Sequence, residues 1–139
     1  MKQTLLKYLP TLFFIGLVAV FIYNLLEHGR IEHPGFTVYK NQCAQCHSED
    51  GNGIRELVPP INDADFLNTY FDSIPCWLTN GLNHAIVVKG ITYDQPMYPP
   101  KVDEIQIANV MNYLRDEYKL KHPTEVNSIW VKEQIKGCK

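Results

Sequence analysis

The five residues Cys43-Ala44-Gln45-Cys46-His47 constrain this chain more than any other feature of its sequence. They place two thiols and an imidazole within five positions, so the rest of the fold must be arranged around whatever these groups bind. A C-x-x-C-H run is the covalent attachment pattern of a c-type haem. Both thiols add to the porphyrin, and the histidine lies under the iron. The motif therefore predicts one covalent haem c, attached through Cys43 and Cys46 and ligated by His47.

Two other chemistries use closely spaced cysteines, and the C-x-x-C pair alone leaves both open. A dithiol redox motif of the thioredoxin type lies between a strand and a helix, and no strand pattern precedes Cys43. A zinc site built from Cys43, Cys46, His47 and Cys76 is the second alternative. The histidine directly after the second cysteine favours haem over both.

The overall composition narrows the function further. The chain has 139 residues, which allows one domain with an appendage. A formal net charge of −2 and the absence of a strong basic run argue against nucleic acid as a partner. Four cysteines are too few for a disulfide scaffold, and the motif uses two of them, which leaves Cys76 and Cys138.

An uncharged apolar stretch runs from Tyr8 to Leu26 and matches the ~20 residues needed to cross a bilayer. Lys2 and Lys7 precede it, and positive charge on that side predicts a cytoplasmic N-terminus. A cleaved signal peptide is the alternative, but it would have a shorter apolar core and a small-x-small site after it. We expect residues 1–27 to be an uncleaved signal anchor in a bacterial cytoplasmic membrane. The rest of the chain would then be periplasmic or outside, where c-type haem is attached and disulfides persist.

Residues 28–34 are polar and contain glycine and proline, so we interpret them, His33 included, as a short linker. Pro34 suits the first position of a helix that leads into the haem motif. Gly35 lies four residues before Tyr39 and marks a point on that helix where another helix can approach closely.

The sixth ligand of the iron is predicted from the loop around Met97. Three prolines in the segment 94–100 disfavour a helix and stiffen the backbone. A methionine there is poorly placed for helix packing and well placed to reach across a flat cofactor, and thioether sulfur is a haem ligand in Met/His cytochromes. His84 is an alternative axial ligand, although an exposed loop histidine is the simpler interpretation.

The remaining patterns predict mostly helices. Asp63 and either Asp72 or Ser73 are candidate N-caps of two short helices, and residues 86–93 suggest a small hairpin or an extended loop. A proline carbonyl in the Pro59-Pro60 pair is placed to accept the Nδ1 proton of a ligating His47. A capping box at Asp103 and Gln106 opens a last helix; its apolar face comprises Ile107, Met111, Leu114 and Tyr118.

Together these residues resemble class I cytochromes c over about Gly35 to Tyr118. The resemblance implies an all-α fold, with a small helical cytochrome c domain at residues 35–120 behind the N-terminal transmembrane helix. It also implies His47 and Met97 as axial ligands and one-electron transfer. The resemblance rests on the Gly-x-x-x-Tyr helix, CAQCH, Pro59-Pro60, Asn80-Gly81, the Gly90–Met97 loop and the closing helix Val110–Leu114.

The chain departs from that pattern in a tail, residues 121–139. Val126, Ile129 and Trp130 would share one face of a short helix, with Thr124 as its cap.

Cys76 and Cys138 are expected to form a disulfide in an oxidising compartment. A free buried Cys76 and a Cys138 used between chains are the alternatives.

These features predict a membrane-anchored monohaem cytochrome c, not itself an enzyme, that carries single electrons in a respiratory chain. Its partners would be a quinol-oxidising complex and a terminal oxidase or reductase. One alternative is a fixed electron-entry subunit of a larger oxidase or reductase complex. Another is a haem enzyme or sensor with an open iron site.

Overall fold

The computed structural model describes residues 2–28, 33–122 and 124–138 of the chain. The chain divides into two compact units, Met1–Glu32 and His33–Lys139. Helices dominate both, which confirms the predicted fold class. Residues 29–32, most of the predicted linker, lie outside the described residues.

The first unit contains helix α1, Lys2–His28. Its segment Tyr8–Leu26 has a mean hydropathy of 2.2 and is entirely exposed. By length and composition this helix is able to cross a membrane.

The second unit begins with two helices that meet at the haem motif. Helix α2 spans Pro34–Gln42 and helix α3 spans Ala44–His47, with Cys43 between them. The helix start at Pro34 is as predicted, but the interpretation of His33 as a linker residue is wrong. The His33 Nδ1 atom accepts a hydrogen bond of 3.1 Å from the Gly35 backbone N–H, so His33 is the N-cap of α2.

Helix α6, Glu104–Glu117, crosses α2 at the predicted glycine. A Cβ atom at Gly35 would overlap the backbone carbonyl of Asn109, so a larger residue would push the two helices apart. One turn later Tyr39 is fully buried, and its ring centroid lies 5.6 Å from that of Tyr113. This crossing holds the helix that leads to Cys43 against the core.

Side-chain caps begin two of the remaining helices, at Asp63 and Asp103, whereas Ser73, a predicted cap, makes no side-chain capping hydrogen bond. Helix α4 spans Ala64–Tyr70, and Asp63 accepts from two backbone N–H groups of its first turn. A 3₁₀ turn at Phe71–Ser73 leads into helix α5, Ile74–Asn80. The predicted capping box is present at the start of α6. The Asp103 side chain accepts from the Gln106 backbone N–H (2.8 Å), and the Gln106 side chain accepts from the Asp103 backbone N–H (3.0 Å).

A two-stranded antiparallel hairpin follows α5, as the β-branched run predicts. Strand β1 spans Ile86–Val88 and strand β2 spans Ile91–Tyr93. Lys89 and Gly90 connect them with φ angles of 51° and 78°. Two positive φ values in a two-residue turn match the right-handed twist of the strands.

The tail forms helix α7, Ser128–Lys136, but its predicted details are wrong. The cap is Asn127, whose side chain accepts a 2.9 Å hydrogen bond from the Trp130 backbone N–H, and not Thr124. Starting the helix at Ser128 rotates the predicted face, so that Ile129 is 71% exposed while Val131 is fully buried.

Two contacts tie the tail to the domain. The side chain of buried Asn112 in α6 donates to the Val126 carbonyl (2.7 Å) and accepts from the Val126 N–H (2.8 Å). Both backbone polar groups of Val126, in the extended segment before α7, are therefore hydrogen-bonded. A disulfide joins Cys76 of α5 to Cys138, 62 positions away in the sequence. The tail is therefore part of the domain core.

Candidate functional site

An apolar cavity of about 300 Å³ lies beside α3. Cys43, Cys46, His47 and Met97 all line it. Met97 thus meets the motif residues, about fifty positions earlier in the chain, at one cleft. These are the four residues that the sequence predicts to hold the haem.

The two thiols come from consecutive turns of the α2–α3 junction. Cys43 is half-buried and Cys46 is exposed, and both are free. Burial, followed by the neighbouring Cys46, raises the pKa of Cys43 to about 11. This site therefore favours an uncharged sulfur, and a thioether is uncharged at every pH.

His47 ends α3, and its ring is held by the chain itself. The Nδ1 atom lies 3.0 Å from the carbonyl oxygen of Pro59, as predicted from the proline pair. With Nδ1–H donating to that carbonyl, Nε2 is the atom free to bind iron. Burial lowers the pKa of His47, and the Pro59 hydrogen bond opposes this shift in part. Both the hydrogen bond and the burial suit a neutral, metal-binding imidazole.

The loop after His47 positions the Pro59 carbonyl, and the loop depends on the backbone conformation of Gly53. Gly53 has a φ of 68°, and its N–H donates to the His47 carbonyl (2.9 Å). The Ser48 hydroxyl donates to the Gly53 carbonyl (3.2 Å). A Cβ atom at Gly53 would overlap the carbonyls of Val58 and Pro59. The sequence showed this position only as part of a glycine-rich turn, not as a support of the histidine.

Tyr39 links α2 to the same loop. Its hydroxyl donates to the Ser48 carbonyl, and burial raises the pKa of Tyr39 well above its usual range. Tyr39 stays neutral and acts as a fixed donor. Its apolar spacing predicted core packing, but nothing in the pattern indicated the hydrogen bond.

Met97 lies in a proline-framed, non-helical segment, as predicted. Its backbone pairs with Leu82 in an antiparallel bridge, with N–H to carbonyl distances of 2.8 Å in both directions. The side chain is half-buried and packs against the core. The Leu82 pairing fixes where the thioether enters the cavity, and no sequence pattern pointed to it.

The remaining lining is mostly apolar, and seven of its side chains come from three helices. It excludes water from the faces of a flat ligand and lowers the local dielectric, as a cofactor site requires. The side chains of α4, α5 and α6 in this lining are Phe66, Leu67, Ile74, Trp77, Leu78, Val110 and Leu114.

The zinc alternative is contradicted by the structure, because Cys76 is bonded to Cys138 and has no thiolate to offer. Within the described part of the chain, no three His, Cys, Asp or Glu side chains are grouped as a metal ion would need. His84, the alternative axial ligand, is exposed and also lines the cavity.

The residues present fit a covalent haem. Two thiols, an imidazole whose Nδ1 is already hydrogen-bonded, a thioether and an apolar lining are the groups that attach, ligate and enclose such a haem.

Comparison with known proteins agrees with this fit. The family model described as cytochrome c matches residues 33–117. Two relatives are the cytochrome c subunits of alcohol dehydrogenase (quinone) from Gluconacetobacter polyoxogenes and Komagataeibacter europaeus, each 29% identical over 111 residues. Each match covers 76% of this chain but only 23% of the relative, so the chain spans about a quarter of the length of these relatives.

Proposed function

Because the chain belongs to the cytochrome c family, we propose that it carries single electrons through one haem c held by Cys43, Cys46, His47 and Met97. The observation that supports this assignment is that the four side chains line one apolar cavity. When bound, the haem supplies an iron that alternates between two oxidation states.

The chain's own residues favour electron transfer over substrate chemistry. His47 and Met97 would both bind the iron, which would leave no open position for a substrate. The Pro59 carbonyl holds the imidazole, and the Leu82 backbone holds the methionine segment. Held ligands change position little between oxidation states, which keeps the reorganisation small. The thioether also raises the reduction potential.

Spectroscopy of the purified protein tests the haem assignment. We expect haem to stay with the polypeptide after denaturation, because both thiols are used. We also expect a methionine–iron charge-transfer band in the oxidised protein. A reduced native protein that binds carbon monoxide readily would indicate an open iron site and would contradict the carrier function.

The apolar helix α1 supports membrane anchoring. We propose a single-pass protein of the bacterial cytoplasmic membrane, with its N-terminus in the cytoplasm and the haem unit on the periplasmic or outer side. Alkaline extraction of membranes should leave the protein in the pellet. Protease added to intact spheroplasts should digest the haem unit, and its protection would contradict this topology.

Two roles in a respiratory chain are compatible with this site. A mobile carrier would pass electrons from a quinol-oxidising complex to a terminal oxidase or reductase. A fixed electron-entry subunit would remain in one larger oxidoreductase, and this second role is favoured by the relatives, which are named as dehydrogenase subunits. Purification in mild detergent separates the two: a subunit stays with its complex, whereas a carrier elutes alone.

A further inference from the structure

We propose that His84 is a reserve axial ligand, which binds the haem iron and keeps it six-coordinate when the Met97 sulfur leaves. The inference rests on the proposed function, because it takes His47 and Met97 as the ligands of the native protein. Its new content is a second, lower-potential state available to the same cavity.

His84 lies close in the chain to the backbone partner of Met97. Met97 pairs through its backbone with Leu82, and His84 follows Leu82 by two residues. Two residues of extended chain span at most roughly 7 Å, so the imidazole starts close to the residue that holds the methionine in place. Leu82, His84 and Met97 all line the cavity, so both candidate ligands approach it from paired segments.

His84 also differs from the other histidines whose side chains the structure describes. The other histidines with described side chains are engaged: His33 caps α2, His47 contacts Pro59, and His122 contacts the Thr124 carbonyl and stacks on a phenylalanine ring. Within the described residues, the His84 ring has no hydrogen bond or ion pair. It is also exposed, as are Asn83 and Ala85 beside it. This short segment can move without breaking core packing.

A neutral imidazole binds haem iron as His47 does, and it is the one such group near the methionine in this lining. A histidine in place of the thioether removes the rise in potential that methionine supplies. With His84 bound, the iron would stay closed to carbon monoxide and peroxide, while the protein would become a poorer acceptor of electrons. The chain would remain intact but would no longer accept electrons readily from high-potential donors.

A comparison of three holoprotein variants tests the proposal: Met97→Ala, Met97→Ala with His84→Ala, and Met97→Ala with Asn83→Ala. Asn83 is the matched control, because it is exposed, adjacent to His84 and not among the residues that line the cavity. We expect Met97→Ala and the Asn83 control to remain low-spin and to resist carbon monoxide. The variant that lacks both Met97 and His84 should become high-spin and bind carbon monoxide readily.

Three results would overturn the proposal, and they differ from one another. A high-spin Met97→Ala protein would show that His84 does not bind. A low-spin protein without Met97 and His84 would show that the ligand comes from elsewhere. A Met97→Ala protein with the spectrum and potential of the wild type would place the failure in the proposed function, because Met97 would not be a ligand at all. If Met97→Ala gives no folded holoprotein, Met97→Leu keeps the apolar bulk and the same outcomes apply.

Discussion

The two segments that would ligate the iron are held very differently. The histidine segment, residues 43–61, is fixed from several directions, through the Pro59 carbonyl, the Gly53 turn and the Tyr39 hydroxyl. The methionine segment, residues 80–100, is held at its ligand by one backbone bridge, and Tyr98 next to Met97 is 81% exposed.

This difference suggests that the two segments have different roles in binding the haem. The His47 ring is itself hydrogen-bonded, which fixes its orientation, whereas Met97 is bonded only through its backbone and its side chain is the easier of the two to displace. The histidine side would thus define where the haem lies. The methionine side would set the reduction potential, and it is the side from which a ligand can be exchanged.

The largest expected effect comes from removing the attachment thiols of the histidine segment. Cys43→Ser with Cys46→Ser should lose all covalent haem, because both thioethers are gone, as haem staining of denatured protein will show. Cys76→Ser with Cys138→Ser is the control, since it also removes two cysteines, and it should keep its haem. Haem that stays attached in the first variant would contradict the assignment of the site.

Removing the disulfide should come next in size and should weaken the methionine side first. Cys76 lies in α5, which directly precedes the methionine segment, and the bond closes a loop over 62 positions. Loop closure of that length contributes up to about 4 kcal/mol in the chain-entropy model. Urea unfolding of the Cys76→Ser, Cys138→Ser holoprotein should show this loss, and the methionine–iron band should disappear at lower urea than the helical signal. Coincident loss of both signals would remove the claimed contrast between the two segments.

A pair of glycine substitutions gives the smallest and most specific effect. Gly53 and Gly90 both have positive φ, so alanine costs about 1–2 kcal/mol at either position. A Cβ atom would also overlap the Pro59 carbonyl at Gly53, whereas it would meet nothing within 4 Å at Gly90. We expect Gly53→Ala to cost about 1–3 kcal/mol more than Gly90→Ala in urea unfolding. Equal losses would show that the packing around the Pro59 carbonyl has room to spare.

Local patterns explain what the sequence could predict. The Gly35 crossing needs only a missing Cβ, the Asp103 box needs two side chains three residues apart, and the hairpin needs a β-branched run with a glycine turn at Gly90. Each of these depends on neighbours within a few positions. The Pro59 contact was also foreseen, because it follows from the chemistry that a ligating imidazole requires.

Long-range backbone contacts explain what the sequence did not reveal. Leu82 supports Met97 through main-chain atoms alone, so its side chain carries no trace of the pairing. The tail was interpreted from apolar spacing, but buried Asn112 binds Val126 through its amide, and Asn127 starts the helix. The Asn112 amide bonds the Val126 backbone as a neighbouring strand would. A pattern based on apolar residues alone does not predict such a contact.

The reduction potential of the Met97→Ala holoprotein tests the central claim most directly. The Met97 thioether would raise the potential by binding the iron, so removing it should lower the midpoint potential markedly relative to the wild type. A midpoint potential equal to that of the wild type would show that Met97 is not a ligand. It would also contradict the proposed difference in role between the two segments.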